Sequence, residues 1–466
     1  MTSPKHRAAP TSSVRHAMSD NGRQTLMLER NFVVDSTWTR AGCDGRIVLA
    51  GSPLRMFRLT VAGASIASAI EAGDAVSNSS LVDRLLDAGA VHPVAGKSPT
   101  QRFTAADVTL VTPQLGGLIR RDRQITVDDG STPPIAGATI RLDRNQGPAA
   151  ARNAGRAHID TALIAFVDAD LELLDDEVAA YGGASWLDKL LPHFDDPKVG
   201  LVAPRVVGDE GTSLDLGAEP ARIQAGSRVS YVPAAAFVVR VDAFDAVGGF
   251  DEGLRFGEDV DFVWRLDQAN WTCRFEPSSR VWHEPRATLI SRLKQQAGYG
   301  SAAAPLALRH PRLLAPFRSN GSTAAAWTLV GFGHPISAAV VAAAGTAAVV
   351  RKLSFVSTRT AVRLSLSTQV ASARQLASTI RRVWWPIVAA GSLISRRARW
   401  VAVAAIATDL RATPNDVAYG WGVWRGMVRH RTWRPLIPAI SSWSPEARNR
   451  QAPSREHAVP PARDVH

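Results

Sequence analysis

An apolar run in this chain ends in two aspartates: AFVDAD, residues 165–170, sets Asp168 and Asp170 either side of one alanine. Residues i and i+2 of a strand share a face, so both carboxylates project together where the strand leaves the core. Like charges that close repel unless something positive lies between them, and a divalent cation carrying a diphosphate meets that need. The simpler reading is an acidic turn, because LELLDDE adds four more carboxylates immediately afterwards. A second acidic pair, Asp128 and Asp129, closes QITVDDGS. Carboxylates there can accept from a uracil N3–H or from ribose hydroxyls, and Gly130 permits close backbone approach. A plain Asp-Gly turn has the same spelling.

Three further groups could do chemistry beside them. In NQGPAAARNAG, Gly147 opens a helix of small residues that lets a ligand approach. Arg152 and Asn153 lie one turn in, where a guanidinium can neutralise phosphate. In GEDVDFVWRL, the helical spacing of Val260, Val263 and Trp264 anchors a helix that begins with Glu258 and Asp259. Acidic residues are favourable at a helix N-terminus through the dipole alone. Facing a sugar nucleotide, a carboxylate here could instead take the proton of an acceptor hydroxyl. Finally, RFEPSSRVWH ends a strand-like run in His283, either a structural histidine or a ligand at the edge of a metal site.

The elements that must position these residues follow from periodicity. VTLVTP, QITVDDGS, TIRLD and ALIAFVDAD read as four short strands, with a helix from about Pro148 to His158 before the last. Alternation of this kind implies an α/β layered domain with a mainly parallel sheet, whose ligands bind beyond the strand C-termini. All four aspartates fall there. Residues 1–26 are polar, lack an apolar signal core and read as a disordered lead-in. Residues 27–98, with the strand RIVLAG and the helix SSLVDRLLDAG, read as a small α+β, winged-helix-like module that recognises peptide or caps its neighbour. GKSPTQRFTAAD is a linker to the α/β domain, placed at 104–318.

Residues 319–466 differ in character. From Arg351 onward there are 19 Lys and Arg against five Asp and Glu, whereas the first 350 residues hold 35 against 37, so the tail carries the whole net charge of +12. These cations sit among apolar Trp-containing segments, which suits an anionic membrane surface; no nucleic-acid motif is present. Residues 323–350 run without Lys, Arg, Asp or Glu, long enough to span a bilayer or to form an Ala-rich helix pair. WWPIVAAGSLIS and WVAVAAIA, split by RRAR, are each too short to span and read as interfacial helices. With only Cys43 and Cys273, a disulfide framework is excluded and a reducing, cytoplasmic setting is expected.

Taken together, VDDGS, the N-x-G-x-x-x-A-R-N-x-G run, FVDAD and GGFDE…GEDVDFVWRL resemble the family 2 glycosyltransferases of the GT-A fold, over about residues 104–300. The resemblance is closer to the mycofactocin-system branch of that family. It extends over roughly 27–440 through RIVLAGSPLRMFRLTVAG, VPAAAFVVRVDAFDAVGGFDE, AWTLVGFGHP, RRVWWPI, SRRARW and DVAYGWGVWRG. The resemblance implies a UDP-sugar donor, UDP-glucose, bound with Mg2+ or Mn2+. It implies transfer with inversion to the peptide-derived redox cofactor mycofactocin or its precursor, building β-1,4-linked glucose. Asp128 and Asp129 would contact uridine, Asp168 the ribose, Asp170 and His283 the metal or diphosphate. Asp259 would be the base, with Glu258 its neighbour. The enzyme would work at the cytoplasmic face of the membrane, peripherally or through one or two helices. One departure stands out: only 13 residues, 114–126, separate Pro113 from Val127, where the family has a longer loop and a full helix. Two alternatives follow, a same-fold transferase using another nucleotide sugar and an inactive membrane-associated binder of the precursor.

Overall fold

The computed structural model describes residues 29–42, 44–94, 101–118, 124–173, 186–208, 214–283, 288–311 and 313–441. The lead-in, Cys43 and residues 96–100 of the expected linker therefore lie outside the described residues. Two compact units divide the chain, Met1–Ala287 and Thr288–His466. The division precedes residue 318, where sequence alone ended the α/β domain, because the helices after Thr288 pack within the second unit.

The first unit begins with the small module: β1 (Glu29–Arg30), β2 (Phe32–Val34), β3 (Thr39–Ala41), β4 (Ile47–Ala50), β5 (Arg55–Arg58), α1 (Val61–Ala72), β6 (Val76–Ser77), α2 (Ser80–Asp87) and β7 (Val91–Pro93). Strands β3, β4 and β5 form an antiparallel meander, and β1 and β2 pair with β6 and β7. Thr60 caps α1 by accepting from Gly63 N, and Ser79 caps α2 by accepting from Val82 N. Each such cap contributes about 1 kcal/mol. Phe32, Val48, Phe57, Ile70, Val82 and Leu85 close the core beneath them.

Next comes a nine-stranded sheet from β8 (Val108–Gln114), β9 (Ile125–Asp128), β10 (Ile140–Arg141), β11 (Leu163–Val167), β12 (Leu171–Leu173), β13 (Val199–Val207), β14 (Ala221–Ile223), β15 (Ala236–Arg240) and β16 (Thr272–His283). Its order is β10-β9-β8-β11-β15-β13-β16-β12, with β14 also on β16. The four strands legible in the sequence are mutually parallel. The other half is mixed, since β15 runs antiparallel to both β11 and β13. Every residue of β11 is buried, which suits a strand covered on both faces. On one of those faces Phe166, Phe237, Phe244, Phe250 and Phe262 form an aromatic cluster, Phe250 stacked on Phe262 at 4.5 Å. Helices α3 (Pro148–Arg156), α4 (Val241–Ala246) and α5 (Glu258–Gln268) flank the sheet.

The second unit is helical: α6 (Leu289–Ser301), α7 (Ala303–Arg309), α8 (Gly321–Gly331), α9 (Pro335–Lys352), α10 (Thr358–Thr379), α11 (Trp385–Ile394), α12 (Arg396–Ala407) and α13 (Thr413–His430). The tail motifs take their meaning here. In DVAYGWGVWRG, glycines let α6 and α13 touch backbone to backbone: a Cβ at Gly422 would lie 1.9 Å from Ala297 O, and one at Gly300 1.9 Å from Tyr419 O. In RRVWWPI, buried Arg381 pairs with Asp416 at 2.9 Å from a π-helical turn, Ile380–Trp384. The uncharged run 323–350 is two helices rather than one continuous span, because Gly333, at φ 78°, and the Pro335 start of α9 break it. Among the described residues, α9 alone is long and apolar enough to cross a membrane.

Candidate active site

Arg152 organises the acidic end of the sheet. It points from the second turn of α3 and is only 2% exposed. Its Nη2 donates to Asp168 Oδ1 at 2.7 Å and to Ala234 O at 3.1 Å, and its Nη1 donates to Glu258 Oε1 at 3.2 Å. The guanidinium lies over the Phe250 ring at 5.4 Å. Phe250 belongs to the aromatic cluster, so the floor of the site is continuous with the core. Asp168 directly follows β11 and Glu258 opens α5, so one cation joins two segments far apart in sequence.

Those carboxylates sit in an unusual field. Burial is the main force raising Asp168, to about 6; Asp170 adds to it and Arg152 opposes it. Glu258 and Asp259 are likewise pushed above the ordinary carboxylate range, chiefly by burial. Asp259 Oδ1 accepts from Val260 N at 2.8 Å and Oδ2 from Ala234 N at 3.4 Å, which fixes its direction. Three carboxylates around one guanidinium leave the cluster acidic, a setting that favours a cation.

Asp170 and His283 meet beside it. β12 pairs antiparallel with the end of β16, Leu171 opposite His283, and this register brings His283 Nε2 to 3.5 Å from Asp170 Oδ2. The Asp170 side chain is 57% exposed and that of His283 only 12%. The Nδ1 atom of His283 is buried without a hydrogen-bond partner among the described residues. A carboxylate oxygen and an imidazole nitrogen suit Mg2+ or Mn2+, with the oxygens of a diphosphate and water completing the shell. Among the described residues no group of three or more metal-ligating side chains converges, so protein donors alone would not fill that shell.

Asp128, Asp129 and Gly147 form a separate group. Asp128 is fully buried and accepts from Ser131 N, Ile135 N and Arg141 Nη1. Burial would raise it, but these bonds outweigh burial and hold it down at about 2. Asp129 accepts from Gln146 N at 2.7 Å and Gly147 N at 2.9 Å, tying the β9 exit to the start of α3. Gly130 makes this crossing possible, for a Cβ there would lie 2.3 Å from the Arg144 carbonyl carbon. Both aspartates thus shape the loop that a nucleotide would meet.

Two expected donor contacts have other surroundings. Arg152 commits its guanidinium to carboxylates inside the protein and is too buried to reach phosphate without moving. Asn153 is not in the acidic cluster: its Nδ2 donates to Phe250 O and Glu252 Oε1, and its Oδ1 accepts from Phe250 N, so it staples the GGFDE loop to α3. Sequence reading passed over Phe250 and Arg141. Phe250 was visible inside GGFDE but unreadable as a platform, and nothing in the spacing of Arg141 pointed to Asp128.

Comparison with known proteins identifies the family. A Glycosyl transferase family 2 model matches residues 118–224, and a Glycosyl transferase family group 2 model matches 184–394. The pre-mycofactocin glycosyltransferase of two Mycobacterium tuberculosis strains is 36% identical over 460 residues, covering 85% of this chain and 95% of the relative. The succinoglycan biosynthesis protein ExoA of Rhizobium meliloti is 34% identical over 73 residues, 16% of this chain and 22% of that one. A solved mannosyltransferase from Pyrobaculum calidifontis, in complex with GDP-Man and Mn2+, is 14% identical and covers 70% of this chain and 87% of its own, at a TM-score of 0.39. With most of its length shared with a curated relative at this identity, the chain belongs to the family 2 glycosyltransferases and has their GT-A fold.

Proposed function

We propose that this glycosyltransferase moves glucose from UDP-glucose to mycofactocin or its peptide-derived precursor, with inversion, building a β-1,4-linked chain. The observation that carries the reading is the convergence of Asp168 and Glu258 on Arg152, with Asp259 beside them and Asp170–His283 at the rim. Direct displacement at an anomeric carbon needs a base on one face and neutralisation of the departing diphosphate on the other. Asp259 Oδ2 takes the proton of the acceptor hydroxyl. Its raised affinity for protons, a consequence of burial, makes it a stronger base than an exposed aspartate. Glu258 and Arg152 hold the start of α5 against the end of β11, so base and donor keep a fixed separation. A Mg2+ or Mn2+ ion, held by Asp170 and His283, would neutralise the diphosphate charge. Asp168 orients the ribose from the base of the same turn. The acceptor assignment is supported by the pre-mycofactocin relative. The basic, apolar C-terminal helices support work at the cytoplasmic face of a membrane.

Calorimetric titration with UDP-glucose, with and without Mn2+, tests this reading. Micromolar, metal-dependent binding is expected, and Asp170→Asn should abolish the metal dependence. The short β8–β9 connection favours a second reading, an inactive binder of the precursor: Gln114 Nε2 ties the backbone at Gly116 and Leu118 where the family carries its nucleotide loop. A folded sample that binds no nucleotide sugar would establish that second reading instead.

A further inference from the structure

Helices α9 and α10 line an open groove of about 1000 Å³ in the second unit. Ala339, Ala343, Ala347 and Val350 of α9 line one wall, and Val362 and Leu366 of α10 the other. The spacing of the two helices is set within the groove wall and behind it, for Thr346 also lines the groove. Thr346 and Ser365 join hydroxyls at 2.8 Å, and Gly345 packs so closely on α8 that a Cβ would lie 2.8 Å from Ser322 Oγ. The groove is thus a gap between fixed walls. Ala338 is the one residue of α9 that is buried, while Ile336 is 82% exposed and Val340 64%. At 18 residues α9 is about 27 Å long, close to the ~30 Å hydrocarbon layer of a bilayer.

The charge lies at one end. Arg351 and Lys352 close α9, Arg359 and Arg363 fall in the first turns of α10, and Arg351 itself lines the groove. Neither helix nor the turn between them contains Asp or Glu. We propose that this groove seats an acyl chain of an anionic phospholipid, with the lipid phosphate held by Arg351 and Arg359 at the hairpin end. A second copy of the chain is a poorer occupant, because it would bring another strongly basic surface onto these cations. The apolar wall buries the chain at about 25 cal/mol per Å² of covered surface, and the guanidinium pair gives preference for anionic headgroups. The proposal rests on the membrane reading above and makes it specific: one lipid is held in a defined place.

Purified full-length protein tests it by two measurements, phospholipid co-purifying per chain and flotation with vesicles. The vesicles are phosphatidylcholine alone or mixed with phosphatidylglycerol. The variants are Ala343→Trp, which fills the groove, and the exposed pair Arg351→Gln with Arg359→Gln; melting temperature and UDP-glucose titration report their folding. The wild type should retain about one phospholipid per chain and prefer phosphatidylglycerol vesicles about tenfold or more. Ala343→Trp should lose the retained lipid, and the arginine pair should lose both the lipid and the preference. If folded variants keep lipid and preference at wild-type levels, the groove proposal is wrong while membrane binding stands. Wild type that floats with neither vesicle overturns the membrane reading and the groove with it. A lipid-free wild-type dimer that Ala343→Trp dissociates would assign the groove to a second copy. Should Ala343→Trp not fold, the arginine pair decides.

Discussion

Asp259 and Asp128 are aspartates of one unit whose surroundings drive them in opposite directions. Asp259 is half-buried with two backbone N–H partners and pushed upward; Asp128 is buried with partners enough to be held at about 2. Asp259→Asn should leave UDP-glucose affinity within about twofold and lower turnover by about 10²–10⁴, the usual worth of a general base. Turnover at wild-type level would remove Asp259 from that role. For Asp128 the sign runs with acid. A carboxylate depressed from 3.8 to about 2 on folding contributes stability above pH 3.8 and loses it as pH falls toward 2. Asp128→Asn should therefore be less stable than wild type at neutral pH and show a smaller loss between pH 4 and 2, read by urea midpoints across that range. Spacing set Asp168 and Asp170 at the exit of β11, but the strand ends at Val167 and both lie in the turn that follows, so they do not share a strand face; it put Glu258 and Asp259 at a helix start. It could not place Arg152 between them, because a buried salt bridge between α3, β11 and α5 has no local periodicity to betray it.

At the scale of elements, glycine decides how closely helices approach. Gly422 and Gly426 of α13 face Ala297 and Ser301 of α6, with virtual Cβ distances of 1.9 and 2.6 Å to their carbonyl oxygens. Gly422→Leu cannot be absorbed by a rotamer change, since the obstacle is backbone. It should cost more than about 3 kcal/mol in a urea titration, whereas the exposed Gly321→Ala should change little. The α/β alternation was legible because each parallel strand carries its own apolar run and turn. The second half of the sheet was not, since the reversal of β15 depends on pairing among distant segments. The same applies to 323–350, whose lack of charge reads as one span while Gly333 and Pro335 make two helices. WWPIVAAGSLIS was found where expected, as α11, but RRAR proved to be the opening turn of α12 and not a separator.

Across the whole molecule, the N-terminal module is fastened to the α/β domain within one unit. Arg228, beyond β14, reaches Asp35 at 3.0 Å, Pro220 O at 2.6 Å and Ser36 Oγ at 3.2 Å, and also pairs with Glu219. Asp35 is 3% exposed, and its Oδ2 lies 3.1 Å from His92 Nε2. Arg228→Ala should lower unfolding free energy by about 1–3 kcal/mol, since it strips a buried carboxylate of its cation. Arg46→Ala, which breaks an exposed pair with Asp44, should leave it essentially unchanged. This fastening was not legible in the sequence, as its residues lie in loops without pattern. The pairing of β12 with β16 has a consequence in time. Asp170 is made early and His283 is the last residue of the last strand of that sheet. A nascent chain arrested before β16 would carry the aspartate pair but no facing imidazole. If Asp170 and His283 hold the donor's metal as proposed, donor capture would wait until the sheet is complete.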